Sequence, residues 1–357
     1  MRITHLRMAD FRNVSFAETA LDAPRIFLLG ANGQGKTNLL EAVGLLPALR
    51  SFRTPETALL IRHGAAAAQM ACTLEHEREG TVTVQVTISS KKKSATVDGE
   101  NIRQMSAYLG RFPVVAFCSD DIELLRGAPG RRRRWLDLAI AAHDPEYLDA
   151  LRRYHAALTG RNLLLRQPEP SAGELSAFEK VLAPCAAAVV RARRKTLEEL
   201  GRELVAACEG IGLPSAVAGL AYEPSAATED AGGWEEIYLR QRKADTLLRT
   251  TQRGPHRDDF LFRFGAHPAR DVASEGQQRG LVLGLALAQL VLVRRRTGLA
   301  PIVLADDILG ELDPARKRGF WETLGDDSQV LATGTVPPES AKEWRTLRVE
   351  QGNYFTV

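Results

Sequence analysis

The chain has 357 residues, of which 45% are hydrophobic, 25% charged and 6% aromatic, with a formal net charge of +3. That length and apolar share can bury more than one core, no run approaches the roughly twenty apolar residues of a membrane span, and so small a net charge does not mark a nucleic-acid binder by itself. Cys72, Cys118, Cys185 and Cys208 show no paired metal-ligand spacing, so reduced thiols in a cytoplasmic protein are expected.

Met1-Arg2-Ile3-Thr4-His5-Leu6-Arg7 alternates as a first β-strand does, not as a basic and then apolar leader. The apolar run Ile26-Phe27-Leu28-Leu29 then enters Gly30-Ala31-Asn32-Gly33-Gln34-Gly35-Lys36-Thr37, which fits GxxxxGK[ST]. This reads as a strand feeding a phosphate-binding loop. Its glycines let successive N–H groups curl around phosphate oxygens, Lys36 reaches the β/γ-phosphates, and the Thr37 hydroxyl holds Mg²⁺. Asn38-Leu39-Leu40-Glu41-Ala42-Val43 opens a helix whose N-terminus faces the anion. Further on, Thr81 to Ile88 alternates as a strand, and Asp98-Gly99 marks a hairpin turn.

The middle of the chain reads as mainly helical: Arg133 to His143, Tyr147 to Gln167 and Ser176 to Glu209 carry apolar residues at helical spacing. Pro168 to Gly173 is a turn between helices, and Pro224 to Gly233 a mobile connection. Heptads are not sustained, so a compact helical lobe is expected in place of a coiled coil. The chain returns to the core through Gly254-Pro255-His256-Arg257-Asp258-Asp259, where His256 and Arg257 are structural or interface candidates. The basic runs Lys91-Lys92-Lys93, Arg131-Arg132-Arg133-Arg134 and Arg191-Ala192-Arg193-Arg194-Lys195 read either as phosphate contacts or as solvated faces. Arg294-Arg295-Arg296 suit a helix C-terminus.

Near the end, Ala273-Ser274-Glu275-Gly276-Gln277-Gln278-Arg279 precedes the apolar segment Gly280 to Leu290. A serine there caps a buried helix and offers a second anion site at its tip. Pro301-Ile302-Val303-Leu304-Ala305-Asp306-Asp307 has the form of a buried parallel strand delivering acids to its C-terminal edge. Asp306 then holds Mg²⁺, and Asp307 orients or deprotonates the attacking water. About 270 positions separate Lys36 from Asp306. If both meet one Mg·ATP, the intervening chain leaves the nucleotide core and returns.

The combination GANGQGKTN, SEGQQRGLVLGLALAQ, PIVLADDILGELD and QVLATGT is similar to the ABC-type ATPases of chromosome biology, the group containing the SMC proteins. Met8-Ala9-Asp10-Phe11-Arg12-Asn13, Ser51-Phe52-Arg53-Thr54, Arg161-Asn162-Leu163-Leu164 and Gly254 to Asp259 narrow the resemblance to the RecF family, over essentially the whole chain. It implies an α/β fold: an ABC-type P-loop ATPase head with a mixed sheet plus an inserted, mainly helical lobe. Residues 1–110 would form the N-terminal part of the ATPase lobe, 111–245 the helical lobe and 246–357 the C-terminal part with the signature motif, Walker B strand and D-loop.

The resemblance further implies a head-to-tail homodimer with ATP sandwiched between subunits. Ser274, Glu275, Gly276 and Gln277 would act in trans on nucleotide held by Gly30, Ala31, Asn32, Gly33, Gln34, Gly35, Lys36, Thr37 and Asn38. Glu311-Leu312-Asp313 matches the D-loop, Thr333 or Thr335 the switch position, and Arg12 and Asn13 the adenine side. Asp307 stands where SMC proteins place glutamate, which implies slow turnover, and Ser119 stands where many members carry proline. Implied partners are DNA, whether single-stranded, double-stranded or gapped, together with RecO and RecR in loading recombinase. A transporter ATPase subunit, or a nucleotide-dependent scaffold with negligible hydrolysis, are the alternatives at this stage.

Overall fold

The computed structural model describes residues 1–213, 218–310, 312–337 and 343–357, with Glu311 of the expected D-loop outside them. The chain opens with β1 (Arg2–Phe11), β2 (Val14–Ala20), β3 (Arg25–Leu29) and α1 (Lys36–Val43). Next come β4 (Ala67–His76), β5 (Gly80–Ser89), β6 (Lys93–Val97), β7 (Glu100–Asn101) and β8 (Val114–Cys118). The helical stretch holds α2 (Ile122–Arg126), α3 (Pro129–Ala141), α4 (Pro145–Leu165) and α5 (Ala172–Gly210). β9 (Ala218–Glu223), α6 (Ala231–Leu248), β10 (Asp259–Phe264), β11 (His267–Pro268) and α7 (Ala269–Val272) follow. The chain ends in α8 (Glu275–Thr297), β12 (Ile302–Asp306), α9 (Pro314–Leu324), β13 (Val330–Gly334), β14 (Arg345–Glu350) and β15 (Asn353–Thr356).

Two compact units result. The first comprises Met1–Ile122, Glu203–Ala216 and Ser274–Val357, the second Glu123–Arg202 and Val217–Ala273.

In the first unit, alternation in the early strands builds an antiparallel sheet of order β2-β1-β4-β5-β6-β7. Val82, Val84, Val86 and Ile88 on β5 are all buried, as a period of two requires of a sheet packed on one face. Asp98 and Gly99 both take positive φ (49° and 83°), the combination a tight two-residue hairpin needs. A second sheet has the order β15-β14-β3-β13-β12-β8. All its neighbours pair in parallel except β15, the antiparallel edge. Its central strands are buried on both faces, which explains their unbroken apolar runs. One core joins both sheets to α1, with Ile3, Leu6 and Met8 meeting Leu39, Leu40, Ile26, Leu304 and Leu331. Gln329 pins the sheets together: its Oε1 accepts from Ile3 N–H (2.7 Å), and its Nε2 donates to the carbonyls of Ile3, Leu21 and Ala23 at 2.6–3.0 Å. α8 is long and apolar enough to cross a membrane by composition, yet most of it is buried in this unit, so it is a core helix.

The second unit packs Tyr154 and Leu158 of α4, Leu182, Ala186 and Val190 of α5, and Trp234 and Tyr238 of α6 into its own core, beside the small sheet β11-β10-β9. The sequence placed the middle segment at 111–245; compactness extends the unit to Ala273. β10 pairs with β9 over the whole of both strands, and buried ion pairs tie the same segment to the helices. Arg193, almost fully buried, donates to Asp137 (2.8 Å) and to the Pro255 carbonyl (2.6 Å) and lies 3.5 Å from Asp258. Arg132 forks onto Asp259 at 2.7 and 2.8 Å. Those arginines hold Gly254 to Asp259 against the helices, so two members of the basic runs are structural rather than phosphate-facing. Ser225 also donates its N–H to Asp258 (2.7 Å), and Asp230 caps α6, so the segment from Pro224 to Gly233 is anchored rather than a mobile linker.

His256 lies in this hub. Its Nε2 faces the Thr251 carbonyl (3.0 Å), which only accepts, so Nε2 donates and Nδ1 accepts from Tyr154 Oη at 2.6 Å. Burial lowers its pKa from 6.5 to about 4. The unfolded chain therefore takes up a proton that the folded unit refuses. This part of the stability is complete above about pH 6.5 and is lost as pH falls towards about 4. Between about pH 7 and about pH 5 the loss from this one group is about 2 kcal/mol. Denaturant titrations at those two pH values should show it, and His256→Gln should flatten the difference; an unchanged difference in the variant rules out His256 as its source.

Candidate nucleotide site

Parallel pairing brings the C-terminal ends of β3, β13 and β12 to one edge, and the chemistry gathers there. β3 runs into the glycine loop, where Gly33 (φ 80°) and Gly35 (φ 109°) occupy backbone space that side chains avoid. A Cβ on Gly30 would sit 2.5 Å from the Val349 carbonyl oxygen, so that position is closed to any larger residue. The first helical hydrogen bonds of α1 run from Asn38 and Leu39 N–H to the Gly35 carbonyl (3.1 and 3.4 Å). The N–H groups of Lys36 and Thr37 therefore have no intrahelical acceptor and point out at the positive end of the helix dipole. Lys36 Nζ is folded onto the loop, donating to the carbonyls of Gly30 (2.7 Å) and Ala31 (3.1 Å).

The C-terminal hairpin braces the loop from behind. Tyr354 Oη donates to the Gly35 carbonyl (3.0 Å), and Gly352 N–H donates to the Gln34 carbonyl (2.8 Å). Gln34 Oε1 accepts from Gln351 N–H (2.8 Å).

Thr37 Oγ1 donates to Asp306 Oδ1 at 2.9 Å, joining the two halves of the site. Thr333 Oγ1 lies 2.9 Å from the same carboxylate oxygen and 3.2 Å from Asp307 Oδ1, and it accepts from Asp307 N–H (2.8 Å). Its single proton is thus shared between two acids. Burial pushes the Asp306 carboxyl above its usual range, while the bonds from Thr37 and Thr333 pull it back down. Asp307 takes a left-handed backbone (φ 55°), uncommon for a residue with a side chain, which turns its carboxylate away from the strand direction. An open cleft of about 950 Å³ runs past Asn32, Asp307 and Thr333 to Phe27, Trp321 and Trp344.

The oxygen donors fit Mg²⁺, which prefers one or two carboxylate or hydroxyl ligands completed by phosphate and water. Among the described residues no group of three or more His, Cys, Asp or Glu side chains comes together to hold a metal. The Thr37–Asp306 pair would therefore need phosphate oxygens to complete a coordination shell.

Ser274 caps α8 in a reciprocal box with Gln277: Ser274 Oγ accepts from Gln277 N–H (3.3 Å), and Gln277 Oε1 accepts from Ser274 N–H (2.8 Å). Ser274 and Glu275 are exposed. Among the described residues no hydrogen bond joins Ser274, Gly276 or Gln277 to the P-loop of the same chain. Thr333 is buried on β13 whereas Thr335 is exposed, so Thr333 is the one placed between the two acids. Asp313 caps α9 through Arg316 N–H (2.9 Å). Arg12 does not project freely towards a base; it forks onto Glu41 at 2.7 and 2.8 Å, and Asn13 accepts from Asn38 Nδ2 at 2.5 Å. Sequence reasoning passed over Glu41, Gln34's bond to the terminal hairpin and the double role of Thr333, none of which belongs to a linear pattern.

The family described as RecF/RecN/SMC N terminal domain matches residues 2–351. A curated relative from Anaeromyxobacter sp. (strain Fw109-5), named DNA replication and repair protein RecF, is 37% identical over 99% of this chain and 98% of its own. The protein of that name from Thermosynechococcus vestitus is 35% identical over 100% and 98%. The chain belongs to the RecF family. Among solved structures, the "recombination mediator protein RecF-ATP in RecFOR pathway" superposes with a TM-score of 0.90 at 25% identity, over 100% of this chain and 97% of that one. The Smc head bound to the C-winged helix domain of ScpA shares the fold at a TM-score of 0.52 and 16% identity, over 100% of this chain and 98% of that one. The RecF match spans both units, as the ABC-type head with an inserted helical lobe requires.

Thr333→Val keeps the shape but leaves Asp307 N–H without its acceptor and removes one of the two hydroxyls, Thr37 and Thr333, that face Asp306. It should cost about 1–3 kcal/mol of unfolding free energy, whereas Thr335→Val at the exposed position should stay within about 0.5 kcal/mol. Chemical denaturation compares the two; equal effects would remove Thr333 from its special place.

Proposed function

We infer that this RecF-family chain is an ATP-dependent DNA-binding protein of recombinational repair and replication, and that ATP closes two copies into a clamp on DNA. The observation that carries the reading is the Thr37–Asp306–Thr333–Asp307 cluster at the mouth of the P-loop. The N–H groups at the start of α1, already turned outward, bind the phosphates, and Lys36 turns from the Gly30 and Ala31 carbonyls to the β- and γ-phosphates. Thr37 and Asp306 would hold Mg²⁺, which would offset the charge of the bound phosphates. Asp307, oriented by Thr333, positions the attacking water, and its short side chain suits slow turnover. Asn32 and Asn38 complete the nucleotide-binding loop.

Exposure of Ser274 and Glu275 at the tip of α8, with no hydrogen bond among the described residues from Ser274, Gly276 or Gln277 to the P-loop of the same chain, supports action on the nucleotide of a second copy. The γ-phosphate would then favour the closed dimer because only that state contacts it from both sides, and hydrolysis would remove the bridge. The relatives' part in DNA replication and repair, and the RecFOR pathway named for the solved RecF–ATP structure, support loading of recombinase at single-stranded gaps with RecO and RecR, in the cytoplasm. Full-length agreement with RecF relatives favours this reading over a transporter subunit.

Lys36→Ala should abolish both ATP binding and ATP-induced dimerisation, read by calorimetry and by light scattering with and without Mg·ATP and DNA. Ser274→Arg should bind ATP as a monomer but fail to dimerise; normal dimerisation would refute action in trans. Asp307→Asn should hold a closed, DNA-bound dimer and release phosphate at least about tenfold more slowly. Normal phosphate release by that variant would assign the water to another group, and the absence of any DNA-stimulated release by the natural protein would favour the non-hydrolysing scaffold.

A further inference from the structure

The P-loop helix carries one carboxylate to which neither phosphate nor metal binding assigns a task. Glu41 is fully buried on α1, one turn beyond Thr37 and on the same face. Its oxygens accept from Arg12 Nε (2.8 Å) and Nη2 (2.7 Å), from Arg53 Nη1 (3.1 Å) and from Ser51 Oγ. Ser51 Oγ in turn accepts from the N–H groups of Arg53 (2.9 Å) and Thr54 (3.0 Å), wrapping that loop around the carboxylate. Asn38 makes a second link on the helix: its Nδ2 donates to Asn13 Oδ1 (2.5 Å), and its Oδ1 lies 3.4 Å from Arg53 Nη1.

Two features go beyond what packing needs. A buried carboxylate with a single guanidinium would be neutral, and an apolar side chain would serve the core as well or better. Here two arginines converge on one acid, so a net positive charge is retained beside the phosphate-binding end of the helix. Arg53 is 41% exposed, and among the described residues its Nε and Nη2 have no partner. In addition, Arg12 is held at φ 56°, a left-handed conformation that residues with a side chain rarely adopt. Its N–H bond to the Leu60 carbonyl (2.9 Å) and its fork onto Glu41 are what keep it there.

We propose that Glu41 is a positioning residue for the nucleotide: it clamps the Arg12–Asn13 turn and the Ser51–Thr54 loop onto α1, so that a net positive charge stands in a fixed place beside the bound triphosphate. The proposal rests on the nucleotide reading above. It acts through ground-state binding, so loss of the clamp raises KM and leaves kcat nearly unchanged.

The test measures ATP affinity by calorimetry, steady-state KM and kcat, and the unfolding midpoint without nucleotide, for the natural protein and for Lys36→Ala, Glu41→Gln and Ser51→Ala. Glu41→Gln should weaken ATP binding about tenfold or more, and Ser51→Ala, which keeps every charge, about threefold, both at full binding stoichiometry. KM should rise in parallel while kcat stays within about twofold. Variants that bind ATP with natural affinity, and lose only stoichiometry or unfolding midpoint, would overturn the proposal and leave Glu41 a structural ion pair. If Glu41→Gln does not fold, Ser51→Ala decides alone, an unchanged affinity being the refuting result. Failure of the natural protein to bind ATP, or binding by Lys36→Ala equal to it, would instead refute the nucleotide reading.

Discussion

The hydrogen bond from Thr37 to Asp306 is the constraint around which the first unit is organised. It joins the first residues of the P-loop helix to the tip of a strand 269 positions away. For the two to meet, β3 and β12 must lie in one sheet, parallel and with their C-terminal ends together. They are separated by a single strand, β13. That intervening strand is not a spacer, because its Thr333 bonds to both acids and to the backbone of the second. A local hydroxyl thus ties together the groups that would hold metal and water.

Around this edge, stiffness comes from polar groups to which no linear motif assigns a bond. The terminal hairpin β14–β15 braces Gln34 and Gly35, and Gln329 locks the two sheets through main-chain bonds. Glu41 gathers the β1–β2 turn and the loop after α1. Preorganised donors are worth more than mobile ones because no reorganisation is required when charge arrives. In the second unit the same device appears with opposite emphasis. Arg132, Arg161 and Arg193 are buried and each meets aspartate or glutamate, and the first and last of them, which belong to basic runs that look like phosphate contacts in the linear chain, instead hold a helical core to a returning segment.

Much of this was legible in the order of residues. The glycine loop, the apolar strand ending in Asp306-Asp307, the cap at Ser274 and the period-two strands each depend on local backbone chemistry, and local chemistry is written in consecutive residues. The three helices expected in the middle of the chain lie within a few residues of their expected bounds for the same reason. The partition of the middle of the chain was less legible. Residues 254–273 read as core because they follow the helices and precede the signature segment, whereas salt bridges to Arg132 and Arg193 bind them to the helical unit.

The sequence alone therefore determined the ingredients and the class of fold: a glycine loop opening a helix, an apolar strand ending in two acids, a capped helix tip and a helical insertion, each specified by residues close together along the chain. Which strand separates the loop from the acid, which threonine joins them, and which arginines are spent on buried carboxylates were decided only in three dimensions. Those choices depend on strand order and on burial, and both arise from contacts between residues tens to hundreds of positions apart.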